Sequence, residues 1–333
     1  ESDELPQSPE NRRAAGWMMR GDWLSFVVLM AMLWILPLSL GGFYLYLGAV
    51  IAIYAIAALG LQVMVGLAGQ LSLGHAAFLG IGAYTAVLLE KGIGLPFLAA
   101  MAAAGLAAAA AGLLMAQLIR LSGIYFKIAT FGFGIVVYQA LTNWTGLTGG
   151  HVGVRGIPPI DILGVASTTR ADLFILEMTT LTVIYALLVR LCHGRVGRAF
   201  RAIGQNEAAA RSVGIPVNRY RMGVITLGSG IAGIAGAFLP HLMRFLSPES
   251  FGWYDSLIML IMITVGGIKT LPGAVVGAAV LTIIPEYLRD FTQYKMLVFG
   301  VMLIASMVLL PDGVVGALER LLKRLFPQRK QGS

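Results

Sequence analysis

The chain has 333 residues, 58% of them hydrophobic and only 12% charged, with 24 basic and 16 acidic side chains and a formal net charge of +8. Soluble domains carry about 25% charge, and a mean hydropathy of +0.82 points the same way. These figures exclude an ordinary soluble enzyme, a disordered chain and a nucleic-acid binder, despite a pI near 9.7. The apolar stretches are continuous rather than short and alternating, which excludes an outer-membrane barrel. The 42 glycines suit close helix packing in a membrane. Cys192 is the only cysteine, so no internal disulfide exists, and an incidental thiol is its simplest reading.

In chain order, residues 1–22 are predicted to form a cytoplasmic tail, its first part disordered around Pro6 and Pro9. Arg12, Arg13 and Arg20 precede the apolar run Trp23–Leu40, which superficially resembles a signal peptide. Its length, its Trp34 and Pro37, and the lack of a small-residue cleavage site favour a retained first span. Further spans are predicted near 43–65, 73–89, 95–119, 124–142, 172–191, 222–243, 256–268, 273–288 and 294–310. The eighth is short for a bilayer, so it is either tilted or joined to its neighbour by a break inside the membrane. The predicted fold class is an all-α polytopic membrane protein with about ten transmembrane helices. One membrane domain covers 23–316, and a basic cytoplasmic tail, 317–333, follows it.

Lysine and arginine bias sets the orientation. With the N-terminus cytoplasmic, 18 basic residues fall inside, including seven arginines from Arg190 to Arg221 and five basic residues from Arg320 to Lys330. The outside segments hold six: Lys91, Arg155, Arg170, Arg244, Arg289 and Lys295. Both termini are then cytoplasmic, with 143–171 the longest external loop and 192–221 the longest internal one.

No phosphate loop is present, since Gly266-Gly267-Ile268-Lys269-Thr270 lacks both the spacing and the residue order, and reads as a tight turn. No metal-spaced His/Cys cluster occurs, and the four histidines lie far apart in sequence. Glu177 is the most embedded acid, near a helix start facing outside. Pumps that use protons need intramembrane ionisable groups, and this chain nearly lacks them.

Three stretches stand out. Residues 66–75, Gly-Leu-Ala-Gly-Gln-Leu-Ser-Leu-Gly-His, are polar and glycine-rich without net charge. They form either a broken helix whose freed backbone lines a pathway, with Gly69, Gln70, Ser72, Gly74 and His75 along it, or a simple cytoplasmic turn. Residues 266–273 sit between two spans with the same predicted directions as the pair flanking 66–75, and add Gly267, Pro272 and Gly273 as pathway candidates. Gly273 and Gly277 form a GxxxG, and Gly228, Ala232 and Gly236 share a face, both read as packing surfaces. The loop 192–221 is helix-compatible from Gly197 to Val213, with Gly214 as its stop and Pro216 beyond. It is either an ordinary basic loop or a docking helix for a partner's groove.

Glu207-Ala208-Ala209, with Gly214 five residues on and then Ile215-Pro216, resembles the EAA loop of ABC importer permeases. Gly60-Leu61-Gln62 and the run from Gly66 through Tyr84 resemble the hallmark of the branched-chain amino acid permeases in that class. So do Gly266-Gly267 with Leu271-Pro272-Gly273-Ala274, Arg198 through Ile203, and Met307–Gly316 with its Pro311-Asp312-Gly313. The similarity covers most of 45–316 and is closest to the LivM-type subunit; Gln62 stands where many members carry asparagine. It implies that 23–316 is a permease domain and that Arg198, Arg201, Glu207, Ala208, Ala209 and Gly214 couple it to an ATPase. It also implies a LivH-like second permease, two ATP-binding subunits and an extracytoplasmic substrate-binding protein. No cofactor would be bound directly; ATP and Mg would sit on the partner ATPases. The implied location is the bacterial cytoplasmic membrane, multi-pass among lipid, with no nucleic acid partner. The implied cargo is leucine, isoleucine or valine, with urea, amides or another amino acid as the alternative. A secondary transporter or channel would explain the spans but not the EAA-like loop.

Overall fold

The computed structural model describes residues 30–35, 39, 41–117, 124–162, 165–166, 169–287, 300–301, 304 and 313–325. Its main helices are α1 (Gly42–Gln62), α2 (His75–Ile93), α3 (Phe97–Ala116), α4 (Ile124–Asn143) and α5 (Arg170–His193). They continue with α6 (Arg195–Gln205), α7 (Glu207–Ser212), α8 (Val217–Met243), α9 (Trp253–Gly266), α10 (Leu271–Tyr287) and α11 (Gly313–Leu325). A π-helical turn, Val63–Leu67, prolongs α1. Six of these segments are long and apolar enough to cross a membrane, α1 with its π-turn counting as one. The pair α9 and α10 passes the same test only together, bent by 117° at its break. The described residues therefore carry six spans, or seven with the bent pair, against the ten expected. The eighth and ninth expected spans are that pair, the first and tenth lie largely outside the described residues, and so does the tail 1–22, whereas α11 runs into the expected tail 317–333 as far as Leu325.

Helix α1 is the hub. It is buried from Leu47 to Gln62, with only Tyr54 half-buried, and meets α8, α10, α5 and α9. Lipid tails are as apolar as leucine, so close van der Waals contact rather than apolar burial holds such helices together. Small residues supply that contact. Gly82 abuts the backbone of Gly233, and Gly233 in turn abuts Ala104 and Ala108 of the alanine-rich α3. Gly60 and Gly228 join α1 to α8 in the same way, and Gly236 lies against Leu79. The glycines predicted as packing surfaces thus do pack. In the bent pair, Gly273 and Gly277 let α10 fold back onto Gly266, Gly267 and Met262 of α9.

Helix α4 differs, with only 11% of its apolar stretch buried. Its exposed residues include Ile128, Ile135 and Val136. At the far end of α8, β4 (Phe245–Leu246) pairs antiparallel with β1 (Val154–Arg155). Between β1 and α5, β2 (Asp161–Ile162) pairs with β3 (Val165–Ala166). Lys91, in α2's last turn, donates to the Arg155 carbonyl at 2.8 Å and ties this loop to the helix end.

Candidate functional site

The arginine-rich segment 192–221 is two helices, not the single one predicted over 197–213. Asn206 takes an extended conformation, ends α6 and caps α7 by accepting from the Ala209 amide at 3.1 Å. An asparagine that caps the second helix competes with continuing the first. Gly214 adopts φ +81°, the left-handed stop. Helix α6 buries Ala199, Phe200 and Ile203 and exposes Arg195 and Arg198, while Arg201 is half-buried. Ile203, Ala210 and Val217 form a small core of their own that binds α6, α7 and the start of α8 together. Arg198 donates to the His193 carbonyl at 3.1 Å.

Glu207 is committed within the chain. It pairs with Arg211 at 2.7 Å and with Arg221 at 2.5 Å. Partial burial would raise its carboxyl, but the hydrogen bond from Arg211 and the charge and hydrogen bond of Arg221 outweigh this and hold it below its ordinary value. Ala208 and Ala209 are left exposed beside it, and Ala210 faces inward.

The first glycine-rich stretch is no tight turn. Gly69, at φ +66°, lies beside Gly204 at the end of α6. Six residues later, His75 starts α2 with its Nε2 at 3.1 Å from the Ala57 carbonyl. Ala57 precedes Leu67 by ten residues on α1, which is about 15 Å of helix. A turn between adjacent helices would bring Leu67 and His75 to one level. Instead the chain climbs back irregularly and α2 begins well inside the bundle.

Side chains hold this segment. Thr130 of α4 accepts from the Leu73 amide at 3.1 Å, and Gly74 abuts Thr130 and Gly134. Ser256 of α9 accepts from the Ala76 amide at 2.9 Å, satisfying one free donor at α2's N-terminus. Gln70 is buried and donates back to the Ala68 carbonyl at 3.2 Å. Ser72 and His75 are fully buried, and among the described residues the Ser72 hydroxyl and His75 Nδ1 have no hydrogen-bond partner. None of these lines the cavity of about 680 Å³ between Tyr46, Arg170 and Glu286, which lies at the start of α1 and α5 and the end of α10.

The second stretch meets the first. Gly267 has φ +130° at the end of α9, and Pro272 and Gly273 are buried in the first turn of α10. Gln62 crosses to this break, its amide donating to the carbonyls of Gly267 (3.1 Å), Thr270 (3.1 Å) and Ile268. Gln62 and Gly66 thus bring the break that holds Gly267 to the π-turn, while Gly69 lies on the α6 side, against Gly204, and Ser72, Gly74 and His75 stand nearer the start of α2.

Several polar residues escaped the sequence reading. Glu90 and His241 form a buried pair at 2.7 Å between α2 and α8, with Phe97 edge-on to the imidazole. Thr130 and Ser256 were also missed; a lone hydroxyl in an apolar span was the available signal. Glu177 is fully buried in α5, and among the described residues neither carboxyl oxygen has a hydrogen-bond partner.

The model of the family described as branched-chain amino acid transport system / permease component matches residues 43–307. The high-affinity branched-chain amino acid transport system permease protein LivM of Escherichia coli (strain K12) is 35% identical over 287 residues, 79% of this chain and 68% of that protein. LivH of the same description from Salmonella typhimurium is 25% identical over 80% of this chain and 92% of that protein. The autoinducer 2 import system permease protein LsrC of Enterobacter sp. (strain 638) is 31% identical over 67% of this chain and 65% of its own. The chain therefore belongs to the branched-chain amino acid transport permease family and is a multi-pass membrane protein.

Proposed function

We propose that this chain is one of two related permeases in an ATP-driven importer, carrying leucine, isoleucine and valine inward across a bacterial cytoplasmic membrane. Its higher identity to a LivM than to a LivH supports the LivM role, with a LivH-like chain as the second permease. The poorly buried α4 offers a face for that neighbour. Two ATP-binding subunits, holding ATP and Mg, dock on the cytoplasmic side, and a substrate-binding protein delivers cargo from outside.

The observation that carries this reading is the helix pair α6 and α7. Ala208 and Ala209 are small, exposed and adjacent, so a partner's groove can approach closely. Glu207 braces the pair through two arginines rather than reaching outward. The basic asymmetry puts this pair in the cytoplasm, beside the π-turn and below the buried start of α2. An amino acid has two charged ends. The N-terminus of α2, with Gly74, Ser72 and His75, suits its carboxylate. These groups are sealed in the present conformation, so the bundle must part around the two breaks for cargo to pass.

A photocrosslinking residue at Ala209 should trap the ATP-binding partner in membranes of the host. Capture at an outward position such as His151, with none at Ala209, would overturn the docking assignment. The buried Glu177 and the Glu90–His241 pair are what a secondary transporter would use. That reading requires uptake driven by an ion gradient without nucleotide.

A further inference from the structure

Gln62 is 2% exposed and sits at the last residue of α1 before the π-turn. An amide nitrogen has two N–H donors, and here they are shared among three carbonyls more than 200 residues away in sequence. Two of these acceptors are already engaged: the Gly267 carbonyl accepts from the Thr270 amide at 3.2 Å, and the Thr270 carbonyl from the Gly273 amide at 3.0 Å. The Ile268 carbonyl, half-buried and given no amide of its own turn, is the one that most needs Gln62.

The contact has close backbone packing around it. Gly66 abuts the Ile268 carbonyl so tightly that any Cβ would collide with it. At the end of the π-turn, Gly204 of α6 lies against Leu67 and Ala68. The π-turn is thus held between the helix pair and the break of α9 and α10. A π-turn carries one residue more than an α-turn and is a local irregularity that can shift register. Beyond the break, Gly313 at the start of α11 abuts Gly266 and Gly267.

We propose that Gln62 is a positioning residue of the transport cycle: its amide clamps the break of α9 and α10 to the π-turn, so that displacement of α6 is carried into that break. The inference rests on the importer reading, because it assumes that partners move α6. Coupling demands an element that both sites bias; here that element is the break, gripped through the amide by α1 and through the π-turn by α6. Without the amide, the Gly66 contact alone keeps the two backbones adjacent but leaves the break free to slide.

The test uses the assembled complex in proteoliposomes, with Gln62→Met (similar shape, no donors), Gln62→Glu (a carboxylate facing three carbonyl oxygens) and Gln62→Asn (amide kept, shorter). Cargo taken up per ATP hydrolysed should fall about tenfold in the Met and Glu variants, within the usual range for coupling free energies. Assembly and ATP hydrolysis should stay near wild type, and Asn should recover part of the ratio. Spin labels at Val213 and Lys269, both exposed, in a Cys192→Ser background, should report a nucleotide-driven movement at 269 that Gln62→Met abolishes while the movement at 213 persists. Normal coupling in the Met variant would overturn the proposal. Loss of assembly or of hydrolysis would also overturn it, by reducing Gln62 to a folding role. Absence of ATP-driven uptake in the wild-type complex would instead overturn the importer reading itself.

Discussion

Glu207 braces the helix pair of its own chain through Arg211 and Arg221. Its carboxyl stays charged in the folded loop to a lower pH than in an unfolded one. The ion pairs therefore stabilise the loop at and above the ordinary carboxylate range, and that contribution is lost as pH falls through the lowered value. Amide protection across 206–214, corrected for the intrinsic pH dependence of exchange, should hold steady from neutral to mildly acid pH and fall only below that range. Glu207→Gln should be less protected at neutral pH and lose this acid dependence. An acid response unchanged in the variant would mean that other groups brace the loop. Glycines test packing at the same scale. A Cβ at Gly236 would meet the Ala83 amide at 2.9 Å as well as the Leu79 carbonyl, so Gly236→Ala should destabilise the bundle by about 1–3 kcal/mol. Gly132 has nothing within 4 Å, and Gly132→Ala in the same kind of helix should be neutral or up to about 1 kcal/mol more stable. Thermal melting of the purified chain distinguishes them, and equal melting shifts would contradict the packing account.

At the scale of elements, the helix pair depends on its stop. Gly214 at φ +81° has open space around it, so a larger side chain is opposed by backbone strain alone. Gly214→Val should cost about 1–2 kcal/mol locally and reduce cargo uptake per ATP while the protein still inserts. Wild-type uptake by this variant would show that the stop is dispensable. Apolar runs made nearly all these elements legible in the sequence, because long apolar helices leave a continuous signal. The single break at Asn206 was not legible: every residue around it is compatible with helix, and only the cap of α7 decides. The depth at which α2 begins was equally hidden. Ten residues of offset between Ala57 and Leu67 arise from contacts with Thr130 and Ser256, which lie far along the chain. The sequence marked both glycine-rich stretches, yet not that Gln62 joins one to the other. The Glu90–His241 pair was not legible because the two residues stand at the ends of separate expected spans, 73–89 and 222–243, and only the packing of α2 on α8 joins them.

Across the whole molecule, the spans, the orientation and the helix pair proposed to meet the ATPases must agree. With Cys192 replaced by serine, cysteines at His151 and Gln205, both exposed, should label differently in intact cells: 151 with an impermeant outside reagent, 205 only after permeabilisation. Equal labelling would reverse or refute the basic-residue asymmetry. The central claim is that this bundle moves branched-chain amino acids only when partner ATPases work its helix pair. The direct measurement is uptake of radiolabelled leucine into proteoliposomes holding this chain, its second permease and the ATP-binding subunits, with substrate-binding protein on the outside and nucleotide within. Accumulation against the gradient with ATP, and none with a non-hydrolysable analogue, is the expected result. Leucine entry that proceeds equally without ATP would contradict the account.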